Sequence, residues 1–322
     1  MSGRISLGAA LAGQFFLLLL ALLLPDEARA DRSLTLLFAG DVMLDDGPGR
    51  LIARGGDPLA PFAAILARAD YRIANLETPI AESGRAHPNK IFTFRSRPEV
   101  LRVLQGRFDA VSLANNHSGD YGQSAFLETI ALLDAQGVGH FGGGRDLAEA
   151  HAPLWIVRDG LKIAVLGYNE YKPRSFEAGA GWPGIAWSED SQVLADIRAA
   201  RADGADLVIP FMHWGWEGMP LADARAAAVV GGHPHVTQDV EIHRGRPIIY
   251  SLGNFVFDGF ERREEKTGWL LRLRLDAEGV VAWDTLEARM DADGTPHPVL
   301  GARTPCGRRG GREVRACTAS DW

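Results

Sequence analysis

The chain reads as an α/β protein with a mixed sheet system, on three observations. Short apolar runs alternate with segments of helical periodicity, further runs are paired around tight Gly turns, and polar residues gather where the apolar runs stop. Residues 34–39, 71–76, 110–114, 207–212, 228–231 and 248–252 are the strand candidates. Helices are expected over 59–69, 98–104, 123–135 and 189–202. Ala60, Ala64 and Ala67 recur with Phe62 and Leu66 at helical spacing, and Pro98 suits a first helical turn. Asp120 is placed to cap the 123–135 helix. Residues 154–157 and 162–168 flank Asp159-Gly160 as a hairpin, and 268–275 with 280–288 repeat that arrangement around Glu278-Gly279. Leu271-Arg272-Leu273-Arg274-Leu275 alternates as a strand with one wet face does. Parallel strands therefore form the centre, and antiparallel hairpins are added to it.

Composition narrows the function. The 322 residues are 46% hydrophobic and 23% charged, which excludes wholesale disorder and suits one large or two ordinary domains. With 34 Lys+Arg against 41 Asp+Glu the net charge is −7, a poor balance for a general nucleic-acid binder. The two cysteines exclude a disulfide-dense scaffold and a four-thiolate zinc site. No repeat or composition break occurs between 33 and 290, so 31–290 reads as one domain and 291–322 as a C-terminal tail.

Residues 1–30 have the form of a secretory signal: Arg4, an unbroken apolar run over 15–24, and the small-x-small box Ala28-Arg29-Ala30. The competing reading is a membrane anchor over residues 5–24, long enough to span a bilayer. Either way the protein is expected to work outside the cytoplasm, periplasmic or secreted. Cys306 and Cys317 suit that compartment, where a disulfide between them persists. The loop it would close holds Arg308, Arg309, Arg312 and Arg315, solvated charges or a patch for a polyanion.

Residues of metal-ligand type lie at the strand ends. The first strand ends in Gly40-Asp41, the second in Asn75-Leu76-Glu77 and the third in Asn115-Asn116-His117. The fourth ends in His213-Trp214-Gly215 and the fifth in Gly232-His233-Pro234-His235. Ligands of open α/β sheets bind outside the carboxyl ends of the strands, so five strands of one sheet would aim these groups at a common crevice. Each has a plainer reading: Asp41 as a turn cap, Glu77 as a loop acid, Asn116 and His117 as turn formers, His213 as a core histidine. Together they suggest a metal site. Oxygen and imidazole donors without thiolate suit one or two ions of Zn, Mn or Fe, and paired ions stabilise the attacking and leaving oxygens of phosphoester hydrolysis. His117 is the spare imidazole that would meet a leaving group.

Six segments then carry a resemblance: Gly40-Asp41-Val42-Met43-Leu44, Ala74-Asn75-Leu76-Glu77-Thr78-Pro79, 114–122 around Asn115-Asn116-His117-Ser118, His213-Trp214-Gly215-Trp216-Glu217, Gly232-His233-Pro234-His235 and Tyr250-Ser251-Leu252-Gly253-Asn254-Phe255. In this order, over about residues 34–290, they resemble the bacterial capsule-synthesis CapA family, which is linked to poly-γ-glutamate production. The resemblance implies a calcineurin-like metallophosphoesterase fold, a four-layer α/β/β/α sandwich with mixed sheets. It makes Glu77 a bridging carboxylate, places Asp41 and His235 on one metal, and Asn116, His213 and His233 on the other. Partners implied are an anionic cell-surface polymer or its synthesis machinery. The wider superfamily has Asp-x-His in its first motif, where this chain has Met43, an Asp where it has Glu77, and an acid where it has Ser118. The family shares these departures. The connection between His213 and His233 is short for a parallel crossover, with residues 221–228 giving barely two helical turns.

Softer candidates remain. Lys90 and Arg95 flank Ile91-Phe92-Thr93-Phe94, either greeting an anionic substrate or lying on a solvated strand face. Asn254 follows a strand end and is expected to line the crevice. Tyr171, Trp182 and Trp187 sit in a long loop that shapes a groove or covers the sheet edge. The resulting function is an exported metal-dependent hydrolase-like protein of the CapA type. The alternatives are a non-catalytic polymer-binding or assembly subunit, and a general exported metallophosphoesterase.

Overall fold

The computed structural model describes residues 33–171, 174–214, 226–319 and 322; the expected signal segment, Trp216, Glu217 and most of 221–228 lie outside the described residues. One sheet has ten strands. β1 (Leu34–Val42), β2 (Tyr71–Leu76), β3 (Ala110–Ser112) and β4 (Gly139–Phe141) run parallel in that order. On the far side of β1 the pairing turns antiparallel through β14 (Thr267–Asp276), β15 (Gly279–Met290), β17 (Arg303–Arg308) and β18 (Arg315–Thr318). β13 (Asn254–Val256) pairs with the end of β1 and β16 (Pro296–Pro298) with the end of β15.

The second sheet has six strands. β7 (Leu161–Asn169), β9 (Leu207–His213), β10 (Val229–Gly232) and β12 (Arg246–Ile249) are parallel neighbours. β6 (Leu154–Arg158) and β11 (Val240–His243) flank them as antiparallel hairpin partners. A ribbon of β5 (Gly143–Gly144) and β8 (Gly184–Ile185) stands apart. Both hairpins expected around Asp-Gly and Glu-Gly form, the first with Asp159 and Gly160 both at positive φ.

The period-two alternation of strands sorts side chains into layers. Leu36 and Phe38 of β1 point one way and meet Ile163, Val165, Ile209 and Phe211 of the second sheet. The rings of Phe38 and Phe211 meet edge to face at 5.7 Å between the sheets. Leu37 and Ala39 point the other way, onto Phe62, Leu66, Phe126 and Ile130. On the outer face of the second sheet Ala164, Leu166 and Val208 pack against Val193, Ile197 and Ala200 of the helix Asp190–Ala202. The order is helix, sheet, sheet, helix, the four layers the resemblance implies. Strands buried on both faces need continuous apolar runs, which is why β1 and β7 lack alternation.

Helices differ more from expectation than strands do. The helix Gly122–Gln136 forms and stops at Gly137, left-handed at φ 68°. The 59–69 segment contracts to a 3-10 turn Ala60–Phe62 and one α-turn Ala63–Leu66, enough to seat Phe62 and Leu66 in the core. The 98–104 segment likewise becomes Pro98–Val100 and Leu101–Leu104. Asp120 does not cap Gly122–Gln136: Tyr121 stands at the N-cap without a side-chain bond, because the Asp120 carboxylate is engaged elsewhere. Residues 91–94 form no strand. Beyond residue 290 the chain continues the large sheet, and Cys306 of β17 and Cys317 of β18 bring their sulfurs together with Cα atoms 5.9 Å apart. Arg309 is held by Asp276 and by Glu278 at 2.9 Å, so it is paired rather than free for a polyanion.

Candidate metal centre

The polar strand ends come from two sheets, which corrects the single-sheet expectation. β1, β2 and β3 supply Asp41, Glu77 and the Asn115–His117 turn from the larger sheet, while β9 and β10 supply His213, His233 and His235 from the smaller. The carboxyl ends of both converge where the sheets meet. Gly232 makes that approach possible, since a Cβ there would stand 3.0 Å from Asp41 Oδ1. Gly232 pairs opposite His213, so the two histidine-bearing strand ends lie level; most of the short connection between them lies outside the described residues. His233 and His235 adopt φ of 102° and 56°, left-handed conformations that cost energy in any residue but Gly.

Glu77 lies at the centre. It is fully buried, and its Oε1 has no hydrogen-bond partner. Around it stand the Nε2 atoms of His235 at 3.7 Å, His213 at 3.8 Å and His117 at 3.9 Å. Two triads share this carboxylate, Asp41–Glu77–His235 and Glu77–His213–His233, each with its ligand atoms within 4.8 Å of one another. His233 Nδ1 is 3.1 Å from His213 Nε2, and Asn116 Oδ1 is 2.7 Å from the same His213 nitrogen. The structure thus brings together Asp41, Glu77, Asn116, His213, His233 and His235.

The electrostatics favour a cation in these gaps. Burial raises Glu77 well above the usual carboxylate range, with the Asp41 charge adding to it; burial also raises Asp41. Burial and the neighbouring imidazoles push His213 well down and His233 to about 3. Neutral imidazoles with converging lone pairs, and an orphaned buried carboxylate oxygen, are donors without a proton to share. A divalent ion satisfies all of them, so the residues fit a divalent metal.

A second layer fixes the first. Asn75 donates to Asp41 at 2.9 Å, and Asn115 donates to Asn75 at 3.0 Å while accepting from the His117 and Ser118 amides. Ser118 is spent on the Leu113 carbonyl at 2.6 Å. Met43 is buried with Phe257 and Met290, its sulfur 3.1 Å from the Asp45 amide nitrogen, so it offers the centre no ligand. Asn254 holds His235 Nδ1 at 2.8 Å and donates to the Glu265 carbonyl at 2.9 Å, which orients the ring rather than lining open space. Asp120 Oδ2 lies 2.7 Å from His117 Nδ1, a bond that turns Nε2 towards Glu77; burial lowers the His117 pKa against the raising effect of Asp120. Lys90 reaches Asp120 and the Asn116 carbonyl, the latter at 2.7 Å. Arg95 is not brought here: it donates to the Glu82 and Ser83 carbonyls and lies over Tyr121 at 4.3 Å. Tyr171 stacks on His233 with ring centroids 3.8 Å apart, whereas Trp187 is buried and Trp182 exposed. Sequence reasoning missed the role of Asp120, although its place three residues after His117 in a turn was a readable signal.

A two-sheet α/β/β/α sandwich with acid, amide and imidazole donors at the junction of its strand ends defines a protein of metallophosphoesterase-type fold. The crystal structure of a 5′-nucleotidase precursor from Thermus thermophilus matches 83% of the chain and 56% of its own at a TM-score of 0.51 and 15% identity, a likeness of fold. Residues 35–259 match the model of the bacterial capsule synthesis protein family PGA_cap, and the chain belongs to that family. It is similar to the PGA biosynthesis protein CapA of Bacillus subtilis, 28% identical over 84% of this chain and 75% of that one. It is also similar to the capsule biosynthesis protein CapA of Bacillus anthracis, 28% identical over 86% of this chain and 72% of that one.

Proposed function

We propose that this capsule-synthesis protein is exported and acts as a metal-dependent hydrolase on an anionic cell-surface polymer such as poly-γ-glutamate, or within the machinery that assembles it. The observation that carries the reading is the buried, unpartnered Glu77 Oε1, shared by two ligand triads. Asp41 and His235 would hold one ion, and Asn116, His213 and His233 the other, with Glu77 between them. Bound ions at such a site polarise the scissile group and make water a nucleophile near neutral pH. His117 Nε2 faces the same space and Asp120 holds its other nitrogen, so His117 is placed to give a proton to a leaving oxygen or nitrogen. Export rests on the signal-like residues 1–30, and an oxidised Cys306–Cys317 pair fits the same compartment.

A non-catalytic polymer-binding subunit is favoured by one observation, the burial of Met43 with Phe257 and Met290, which leaves it no part in the ligand set. Elemental analysis of protein purified without chelator, beside His233→Ala, tests the two. Two ions per chain in the wild type, falling on substitution, support the hydrolase. A chain without metal would leave only the binding subunit.

A further inference from the structure

Each imidazole of the cluster but one is held by a hydrogen-bonding side chain. Asn254 meets Nδ1 of His235 at 2.8 Å, Asp120 meets Nδ1 of His117 at 2.7 Å, and Asn75 meets Nδ1 of His213 at 3.3 Å. Metal-binding histidines are oriented in this way as a rule, through the ring nitrogen that faces away from the ion. His233 differs. Its Nδ1 points at His213 Nε2, 3.1 Å away, and among the described residues no side chain holds its Nε2. Asp41 accepts from its backbone amide at 3.3 Å, which anchors the chain but leaves the ring able to turn about χ1.

Tyr171 supplies the missing restraint. Its ring lies on the His233 imidazole with centroids 3.8 Å apart, tilted by 37°. The backbone that carries it is tied to a ligand strand. β7 runs beside β9 with Asn169 opposite His213, and the Glu170 amide donates to the His213 carbonyl at 2.9 Å. The buried Asn169 then donates through Nδ2 to the Tyr171 carbonyl at 3.0 Å. The ring is thus registered against His213 and His233 at once. With 45% of its surface exposed, Tyr171 is no core residue, so core packing does not explain its place.

We infer that Tyr171, registered by Asn169, is a positioning residue for the ion of the Glu77–His213–His233 triad: its face holds the His233 imidazole in the rotamer that aims Nδ1 at the space beside His213. The inference rests on the reading that this triad holds a metal.

The test is a titration of the metal-free full chain with Co²⁺, followed by calorimetry and by visible absorption, which responds to the ligands of each ion. His233→Ala identifies the step that belongs to this triad. Tyr171→Ala should weaken that step by about 10–100-fold, the usual effect of losing a group that orients a ligand, and leave the Asp41–Glu77–His235 step as in the wild type. Tyr171→Phe should restore the wild-type affinity and spectrum, because the ring face and not the hydroxyl does the holding. Asn169→Ala keeps the ring but removes its fastening, and should give a smaller loss at the same step. A Tyr171→Ala chain that binds its ions as the wild type does overturns the inference. An equal weakening of both steps overturns it too, since Tyr171 would then be merely structural. Should Tyr171→Ala fail to fold, Tyr171→Leu, apolar but without a ring face, is read in its place. A wild type that takes up no ion would overturn the hydrolytic reading and the inference with it, whereas failure of the inference alone leaves the wild-type steps intact.

Discussion

Glu77→Gln should change stability with opposite sign in the presence and absence of metal. In the metal-free protein Glu77 Oε1 is buried and unpartnered, and burial together with Asp41 raises its pKa well above 4.5. An unsatisfied buried acceptor costs about 1–3 kcal/mol, and more when charged. Glutamine keeps the shape and removes the charge, so in chelator at pH 7.5 the variant should be more stable by about 1–2 kcal/mol, or roughly 2–6 °C in Tm for a chain of this size. The sign with pH follows from linkage. A carboxyl whose folded pKa is raised contributes stability below its unfolded value, and loses it as pH rises towards the folded one. Wild type and variant should therefore converge near pH 4.5 in chelator and separate above it. With metal the order reverses, because ions at a hundredfold over their dissociation constant add about 2.7 kcal/mol per site, which the variant forfeits. Differential scanning fluorimetry at both pH values, with EDTA or with Mn²⁺ and Zn²⁺, reads all four conditions. A loss of Tm of equal size with and without metal would refute the argument, since it would make Glu77 an ordinary structural residue.

Asp120→Asn should leave metal content unchanged but lower kcat on a phosphodiester with an alkyl leaving group by about 10²-fold, the low end of a general acid's contribution, with KM little altered, while bis(p-nitrophenyl) phosphate, whose leaving group needs no proton, is little affected; a parallel loss of metal would show that Asp120 instead supports the ligand set. Cys306→Ser should cost about 2–3 kcal/mol by the chain-entropy estimate for residues 11 apart, read as a lower denaturation midpoint that reductant imposes on the wild type alone. Gly40→Ala should destabilise by about 3 kcal/mol or more, because its Cβ would fall 1.9 Å from the Gly253 carbonyl oxygen, and circular dichroism melts would show it.

The strands were legible because burial on both faces leaves a compositional mark: β2 agrees with its expected limits, β9 extends by His213 alone, and β1 extends by three residues around Asp41. The ligand residues were legible because strand ends must expose polar groups somewhere, and six donors after five apolar runs is a local pattern. What was not legible is nonlocal. Nothing in 59–69 distinguishes a full helix from two packed turns, since the difference lies in how far Phe62 reaches the sheet. Asp120 has a capping residue's identity and position, but Lys90, Phe94 and His117 compete for its oxygens from outside the helix. Asn169 ends a correctly expected hairpin strand, and the strand-end rule applied to Asp41 would have found it too.

The division of the ligands between two sheets has an energetic consequence. Asp41 and Glu77 belong to one sheet and the three histidines of the triads to the other, so the centre exists only when the sheets are docked through Phe38, Phe211 and their neighbours. The unfavourable φ at His233 and His235 and the orphaned Glu77 oxygen all sit at that junction. Strain of this kind persists only where the surroundings over-determine it, and here those surroundings are the apolar side chains packed between the layers. The apolar interface therefore holds open, against local cost, a cluster that binding of cations relieves. Metal affinity and sheet docking are then linked quantities: whatever loosens the interface weakens the centre, and whatever fills the centre tightens the interface.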